Sequence, residues 1–138
     1  LVITCGGIIR CVLQNAVMGD IIGPALEKSG LPLILVAFLI AGLIRTSVGA
    51  AVVSMTMTAG IMASMPAVQA LPPLQLAAMV CAINGGATAF SHVNDSGFWL
   101  VGSLLEIDEK TTLKSWTVME TIIGLVGLVC ALAISLFA

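Results

Sequence analysis

The residues best suited to chemistry lie close together in a chain that is otherwise strongly apolar. Residues 91–100, Ser-His-Val-Asn-Asp-Ser-Gly-Phe-Trp-Leu, contain the only histidine of the sequence, His92, and an aspartate, Asp95. Residues 79–90, which precede them, carry no charge. Ionisable side chains in apolar surroundings are costly and usually mark a path for a substrate or a proton. We therefore expect this decapeptide to belong to the functional site.

Two ionisable and three neutral polar side chains of this decapeptide are candidates for different roles. An imidazole is the side chain best suited to proton exchange near physiological pH, and a desolvated carboxyl can serve as well, so His92 and Asp95 are candidate proton carriers. Ser91, Asn94 and Ser96 offer neutral hydrogen bonds that suit sugar hydroxyls. Two structural interpretations stay open beside these roles. Asp95 or Ser96 caps a following helix, and His92 satisfies backbone groups in an irregular stretch.

A second polar group precedes the decapeptide by about 45 residues. Arg45 offers a planar fork of donors that suits a carboxylate, and Thr46, Ser47 and the flexible Gly49 follow it. This set is a candidate site for the acid end of an organic anion, helped by the N-terminus of the next helix. The alternative for Arg45 is a side chain that extends to the membrane interface. Glu120 either faces the interior or lies at headgroup level.

The composition identifies lipid as the solvent. Of 138 residues, 59% are hydrophobic and 9% are charged, whereas a soluble domain carries about 25% charged residues. A net charge of −2 without a basic cluster gives no reason to expect nucleic acid as a partner. The four cysteines form no Cys-x-x-Cys pair and one histidine cannot complete a zinc site, so we predict no metal or cofactor. No nucleophile arrangement or phosphate loop points to an enzyme.

The polar group around Arg45 follows an apolar run that is too short to cross a membrane as a helix. The apolar run 31–44 covers about 21 Å of helix, against about 30 Å of hydrocarbon. An apolar segment resumes at residues 50–65, so Arg45 and its neighbours are expected near membrane depth. We predict a broken or re-entrant segment at about residues 45–50.

The decapeptide is expected at a second break. A helix over residues 74–83 is predicted to end at Asn84-Gly85-Gly86, and a short helix begins again at Gly97. The chain is therefore predicted to be an all-α integral membrane bundle of transmembrane helices with a second broken segment at about residues 84–96. Interrupted helices of this kind are typical of secondary transporters, in which they bind substrate near the midplane.

The two ends of the chain add further apolar segments. Residues 1–13 are predicted to be part of a helix, and residues 16–28 to lie at an interface or in a loop. A final helix is predicted over residues 113–138, with Trp116 in the interfacial aromatic belt. The small residues of this helix recur every four positions and predict a face for close helix packing, namely Gly127, Ala131 and Ser135.

Three stretches resemble a known family of transporters. Residues 91–101, Ser-His-Val-Asn-Asp-Ser-Gly-Phe-Trp-Leu-Val, resemble the most distinctive motif of the gluconate:proton symporter family. Residues 113–123, Leu-Lys-Ser-Trp-Thr-Val-Met-Glu-Thr-Ile-Ile, resemble its closing segment. Residues 40–45, Ile-Ala-Gly-Leu-Ile-Arg, followed by Gly49, resemble the stretch before its Gly-Ser-Ala-Thr-Val-Ala-Met motif. The resemblance covers essentially the whole chain.

The resemblance implies a multi-pass permease of the inner membrane that takes up gluconate or a related sugar acid together with protons. Residues 1–138 then form the carboxy-terminal transmembrane portion of a secondary transporter, whose partners are the lipid bilayer and the missing amino-terminal part of the same permease. A homo-oligomer is compatible with this interpretation. The implied assignments are Arg45 for the carboxylate and His92 with Asp95 for the proton.

One stretch departs from the family pattern and keeps the cargo open. Residues 49–55 read Gly-Ala-Ala-Val-Val-Ser-Met, so the pattern's hydroxyls are absent at Ala50 and Val52 and a hydroxyl is present at Ser54. The cargo is therefore a sugar acid, another small hydroxy acid or an amino acid. A further alternative is a truncated membrane fragment without transport activity of its own.

Overall fold

A computed structural model of the protein describes residues 31–137. The predicted segments at residues 1–13 and 16–28 lie outside the described residues. The described part is helical and contains no strand. In chain order the helices are α1 (Leu33–Val48), α2 (Ala51–Ala63), α3 (Pro66–Gln69), α4 (Pro73–Thr88), α5 (Ser96–Leu104), α6 (Glu109–Thr112) and α7 (Val118–Leu136).

The boundary between α1 and α2 is set by a single glycine. Gly49 adopts φ +76°, in the left-handed region that side chains disfavour, and its N–H donates to the carbonyl of Arg45. Helix α1 therefore ends at Val48, four residues beyond the predicted end at Ile44, and only residues 49–50 separate it from α2. Arg45 lies in the last turn of α1 rather than after the helix.

The predicted end of the next helix at Asn84-Gly85-Gly86 is wrong. Pro73 begins α4 as expected, but the helix continues to Thr88 and the irregular stretch is confined to residues 89–95. The glycines serve helix packing instead of a turn. A Cβ at Gly86 would lie 2.2 Å from the carbonyl oxygen of Phe38, and one at Gly85 would lie 2.8 Å from that of Gly124.

The chain ends in one long helix that contains a wider turn. Helix α6 continues through a π-helical turn at Leu113–Thr117 into α7, which gives an uninterrupted helix over Glu109–Leu136. Its 28 residues make it the one helix of residues 31–137 that is long and apolar enough to cross a membrane. At 1.5 Å per residue it spans about 42 Å, whereas α1 and α4, with 16 residues each, span about 24 Å.

Helix α4 packs between α1 and α7, and α2 contacts both α1 and α4. Two apolar clusters fill these contacts. The first joins α1, α2, α3 and α4 around Ala37, Met62, Val68 and Met79, and the second joins α1, α4 and α7 around Phe38, Ala82 and Ala131. Ala131 is fully buried and Gly127 approaches Gly85, so the predicted packing role of the small residues in this helix is confirmed at both positions.

Candidate functional site

The last turn of α1 carries a buried cation. The side chain of Arg45 is close-packed, and the residue is only 4% exposed. Its Nη1 donates to the carbonyl oxygen of Gly49 at 2.9 Å, and its Nη2 donates to Oδ2 of Asp95, 50 residues away. An extension of Arg45 to the membrane interface is therefore not what the structure shows.

Asp95 receives three donors, and the predicted capping role is confirmed beside an ion pair that the sequence did not predict. As the N-cap of α5 its Oδ1 accepts from the backbone N–H of Gly97 at 3.0 Å, so Asp95 rather than Ser96 caps this helix. Its Oδ2 accepts from Ser91 Oγ at 2.5 Å and from Arg45. The residue is 6% exposed. Capping and charge pairing are thus properties of the same carboxylate.

The short stretch at residues 49–50 and the loop at residues 89–95 are in direct contact. The side-chain amide of Asn94 donates to the carbonyl oxygen of Thr46 at 2.6 Å. A Cβ at Gly49 would lie only 2.1 Å from the carbonyl oxygen of Asn94. Together with the Arg45–Asp95 pair, these contacts join the end of α1 to the loop before α5. The sequence predicted two polar groups, and the structure brings them into one site.

The other predicted polar residues lie around this pair without joining it. Thr46 Oγ1 and Ser47 Oγ both donate to the carbonyl oxygen of Leu43, at 2.9 and 2.8 Å. Ser96 is exposed at the first residue of α5, and within residues 31–137 its side chain has no contact with the ion pair. Each of these hydroxyls retains acceptor lone pairs.

His92 is close to Asp95 in sequence but is held by different atoms. Its Nδ1 lies 2.8 Å from the carbonyl oxygen of Phe90. A carbonyl can only accept, so this contact places a proton on Nδ1 and leaves Nε2 free to bind or release one. The backbone interpretation of His92 is correct for one ring nitrogen, and the other remains available. Phe90 itself adopts φ +62°, which marks a strained point of the loop.

The long helix Glu109–Leu136 contributes groups that the sequence did not assign to the site. Trp116 Nε1 donates to Ser91 Oγ at 3.0 Å, and Thr121 Oγ1 accepts from the backbone N–H of Phe90 at 3.4 Å. Glu120, on the same helix face, is half-buried, and the charges of Arg45 and Asp95 both act on it. The predicted interfacial role of Trp116 gave no indication of its contact with a residue 25 positions earlier.

The hydroxyl that departs from the family pattern is committed to a structural contact. Ser54 is fully buried, and its Oγ donates at 2.6 Å to the carbonyl oxygen of Ala41 in α1. This bond fastens α2 to α1. Ser54 is therefore not free to contact a cargo in this conformation.

The arrangement is a neutral, desolvated ion pair that one helix end and one loop hold in place. Removing one member of such a pair leaves an uncompensated buried charge, which costs about 3–5 kcal/mol. Nε of Arg45 is also buried and is one of three buried side-chain polar atoms without a hydrogen-bond partner in the described part of the chain. Arg45 thus retains an unused N–H donor at Nε.

Residues 31–137 thus form a helical bundle with one long apolar helix, shorter helices and a buried Arg45–Asp95 ion pair where α1 meets the loop before α5. The chain matches the sequence profile described as GntP family permease over residues 1–137. It belongs to the GntP family of permeases, and it is thereby a membrane protein.

Relatives of known name support this assignment. The chain is 41% identical over 129 residues to the low-affinity gluconate transporter of Escherichia coli K12, covering 92% of this chain and 28% of that protein. It is 38% identical over 136 residues to a gluconate permease of Pseudomonas aeruginosa, covering 99% and 30%. It is 36% identical over 134 residues to the Gnt-II system L-idonate transporter of Escherichia coli K12, covering 97% and 30%.

The chain therefore spans less than a third of the length of these curated relatives. No solved structure matches it significantly.

Proposed function

We propose that the protein takes up gluconate or a related sugar acid together with protons across the bacterial inner membrane. The observation that carries this proposal is the buried Arg45–Asp95 pair at the junction of two helix interruptions. Relatives named for gluconate and for L-idonate support sugar acids as the class of cargo. An anionic cargo needs a cation in the site, and Arg45 is the cation that lies there.

The cargo is proposed to bind at Arg45, where neutral polar groups lie around the ion pair. Arg45 holds the carboxylate, and the hydroxyl groups of the sugar acid bond to neutral groups around it. These groups are the side chains of Thr46, Ser47, Ser91, Asn94 and Ser96 and the backbone of Gly49. Hydroxyls that donate to their own helix, as Thr46 and Ser47 do, still accept from a ligand.

The proton is proposed to use two groups with separate tasks. His92 exchanges a proton at its free Nε2, and Asp95 carries the proton beside the cargo. The physical support is that His92 is half-buried while Asp95 is buried against Arg45. Coupling of the proton flux to the cargo flux needs a group that exchanges protons with water and a group that lies beside the cargo.

The helix lengths support a membrane arrangement with two interrupted segments. Helices α1 and α4 are each about 6 Å shorter than the hydrocarbon core of about 30 Å. We propose that α1 with α2, and α4 with α5, are broken or re-entrant segments whose ends meet at membrane depth. Non-helical backbone persists there when protein or a water-filled cavity surrounds it. The chain is proposed to be the carboxy-terminal portion of a multi-pass permease.

Uptake of labelled gluconate tests this proposal. The protein is expressed from its complete reading frame in bacteria that lack gluconate uptake, with and without an uncoupler. We expect accumulation that the uncoupler abolishes. Arg45→Gln is expected to abolish uptake, whereas Lys114→Gln, which removes an exposed cation, leaves it intact. His92→Gln is expected to slow uptake without abolishing it.

Three results would contradict the proposal. Absence of gluconate flux despite correct membrane insertion would favour the interpretation as an inactive fragment. Accumulation that persists with the uncoupler would remove proton coupling. Full competition by amino acids, with none by sugar acids, would change the class of cargo.

A further inference from the structure

The carboxylate of Asp95 lies in a cradle of donors that three parts of the chain supply. Nη2 of Arg45 comes from α1, Oγ of Ser91 from the loop, and the backbone N–H of Gly97 from the first turn of α5. Hydrogen bonds from a guanidinium, a hydroxyl or a helix N-terminus to an ionised carboxylate are shorter and stronger than bonds between neutral groups. The cradle is an anion site, and in this structure its anion belongs to the protein.

The cation of this cradle is not saturated. Arg45 uses Nη1 on the carbonyl of Gly49 and Nη2 on one oxygen of Asp95, while its Nε is buried without a partner. Arginine commonly binds a carboxylate through two parallel hydrogen bonds. Asp95 does not provide both in this structure, in which Arg45 donates to Oδ2 alone and Oδ1 accepts from Gly97 as the helix cap. The carboxylate of a cargo molecule does not cap a helix, so both of its oxygens are free to accept from Arg45.

The charges of the site limit how many anions it holds. Arg45 and Asp95 together are neutral, and both interact electrostatically with Glu120 of the long helix, while His92 lies three residues before Asp95 in the loop. Neither supplies a fixed positive charge in the cradle. A second carboxylate beside an ionised Asp95 would leave an uncompensated negative charge in a desolvated site, which is strongly unfavourable.

We infer that Asp95 is a built-in competitor, so that the carboxylate of the cargo takes its place on Arg45, Ser91 and the Gly97 N–H after Asp95 accepts a proton. This inference rests on the proposed function and adds its coupling rule. One proton converts the Asp95 carboxylate to a carboxylic acid, and one cargo carboxylate restores the neutral pair with Arg45. The site then gains one proton and one anion per cycle, and its net charge does not change.

The coupling rule is tested on the unaltered protein in liposomes. An inward proton gradient without a membrane potential is expected to drive accumulation of gluconate. A potassium diffusion potential without a proton gradient is expected to drive none, because the loaded site carries no added charge. Accumulation driven by the potential alone would overturn the inference while leaving gluconate transport itself intact. Absence of flux under either gradient would instead contradict the proposed function.

Asp95→Asn tests the identity of the competitor. The amide resembles the protonated acid, so Arg45 is left without its internal anion. We expect gluconate to bind roughly tenfold more tightly or better, because loss of one partner leaves the buried charge uncompensated. Binding should lose its dependence on pH, and exchange of internal for external gluconate should persist while gradient-driven accumulation is lost. Asp108→Asn, the same change at an exposed aspartate outside the site, is the matched control and should retain gradient-driven accumulation.

Two outcomes of this variant overturn the inference. Proton-driven accumulation in Asp95→Asn would show that another group carries the proton. A folded, membrane-inserted Asp95→Asn protein that neither binds nor exchanges gluconate would show that Asp95 only supports the structure. If this variant does not fold, the comparison of the two gradients on the unaltered protein still decides whether the coupling rule holds.

Discussion

The main-chain carbonyl of Asn94 occupies the space beside Gly49 in which a side chain would begin. A Cβ there would lie 2.1 Å from this oxygen, and Gly49 also needs its positive φ to end α1. The glycine therefore permits both the helix end and the contact between the two interruptions.

Replacement of this glycine should separate the two parts of the site. Gly49→Ala pays at least about 1–2 kcal/mol for the left-handed conformation alone, and the clash with Asn94 adds to it. Asn94→Ala, which removes only the bond to Thr46, should cost about 1 kcal/mol. Thermal unfolding in detergent measures both. Equal stability of Gly49→Ala and the unaltered protein would contradict both the left-handed conformation of Gly49 and its contact with Asn94.

The contact of α4 with α7 should be equally sensitive to a methyl group. Gly124→Ala would place a Cβ 2.5 Å from the carbonyl oxygen of Gly85, and we expect a loss of about 1–3 kcal/mol from overpacking. Gly127→Ala is the matched control on the same helix, because its Cβ would meet Gly85 at an ordinary 3.5 Å. The two melting temperatures should differ clearly, and coincident values would argue against this helix crossing.

Trp116 should influence transport through Ser91. Trp116→Phe keeps an aromatic ring but removes the indole N–H that donates to Ser91 Oγ, a bond worth about 1 kcal/mol, so we expect uptake to fall about fivefold. Trp99→Phe removes a comparable bond, to the carbonyl of Val93, that does not touch the Ser91–Asp95 contact. It should affect uptake less, and it controls for general loss of stability. Equal effects on uptake would assign Trp116 a packing role alone.

Ser54 should matter for stability and not for the choice of cargo. Ser54→Ala leaves the carbonyl of Ala41 without this donor, and we expect a loss of about 1 kcal/mol or more. Thr56→Ala, whose hydroxyl bonds only within its own helix, should cost less. The ratio of gluconate to idonate uptake should be unchanged in both variants. A changed ratio in Ser54→Ala would place its hydroxyl in the cargo site.

The sequence was informative about chemistry and less so about geometry. The low charge and the resemblance at residues 91–101 were sufficient to predict a helical permease of this family. Periodicity and helix breakers placed Gly49 and Asp95 at helix boundaries, because those boundaries depend on local backbone and capping preferences. The glycines at 85 and 86 were misinterpreted, since the same residue type ends helices and permits their close packing.

The pairing of Arg45 with Asp95 depends on how α1, α4 and α5 pack, and no local pattern encodes a contact across 50 residues. The same holds for Trp116, whose partner Ser91 is in another element. Each side chain was recognisable as polar in an apolar environment. Which of these side chains contact one another could be determined only from the fold.

The π-helical turn at Leu113–Thr117 determines the direction in which the residues before it face, relative to the residues of α7 after it. Such a turn holds one residue more than an α-helical turn, and each residue of an α-helix advances the chain by about 100° around its axis. Thr112 before the turn packs against Gly102 of α5, while Gly124 after it packs against α4. In a regular α-helix, which lacks the extra residue, only one of these two contacts would form, because the other residue would face away from its partner. Loss of a single residue here would therefore cost the long helix one of its two neighbours.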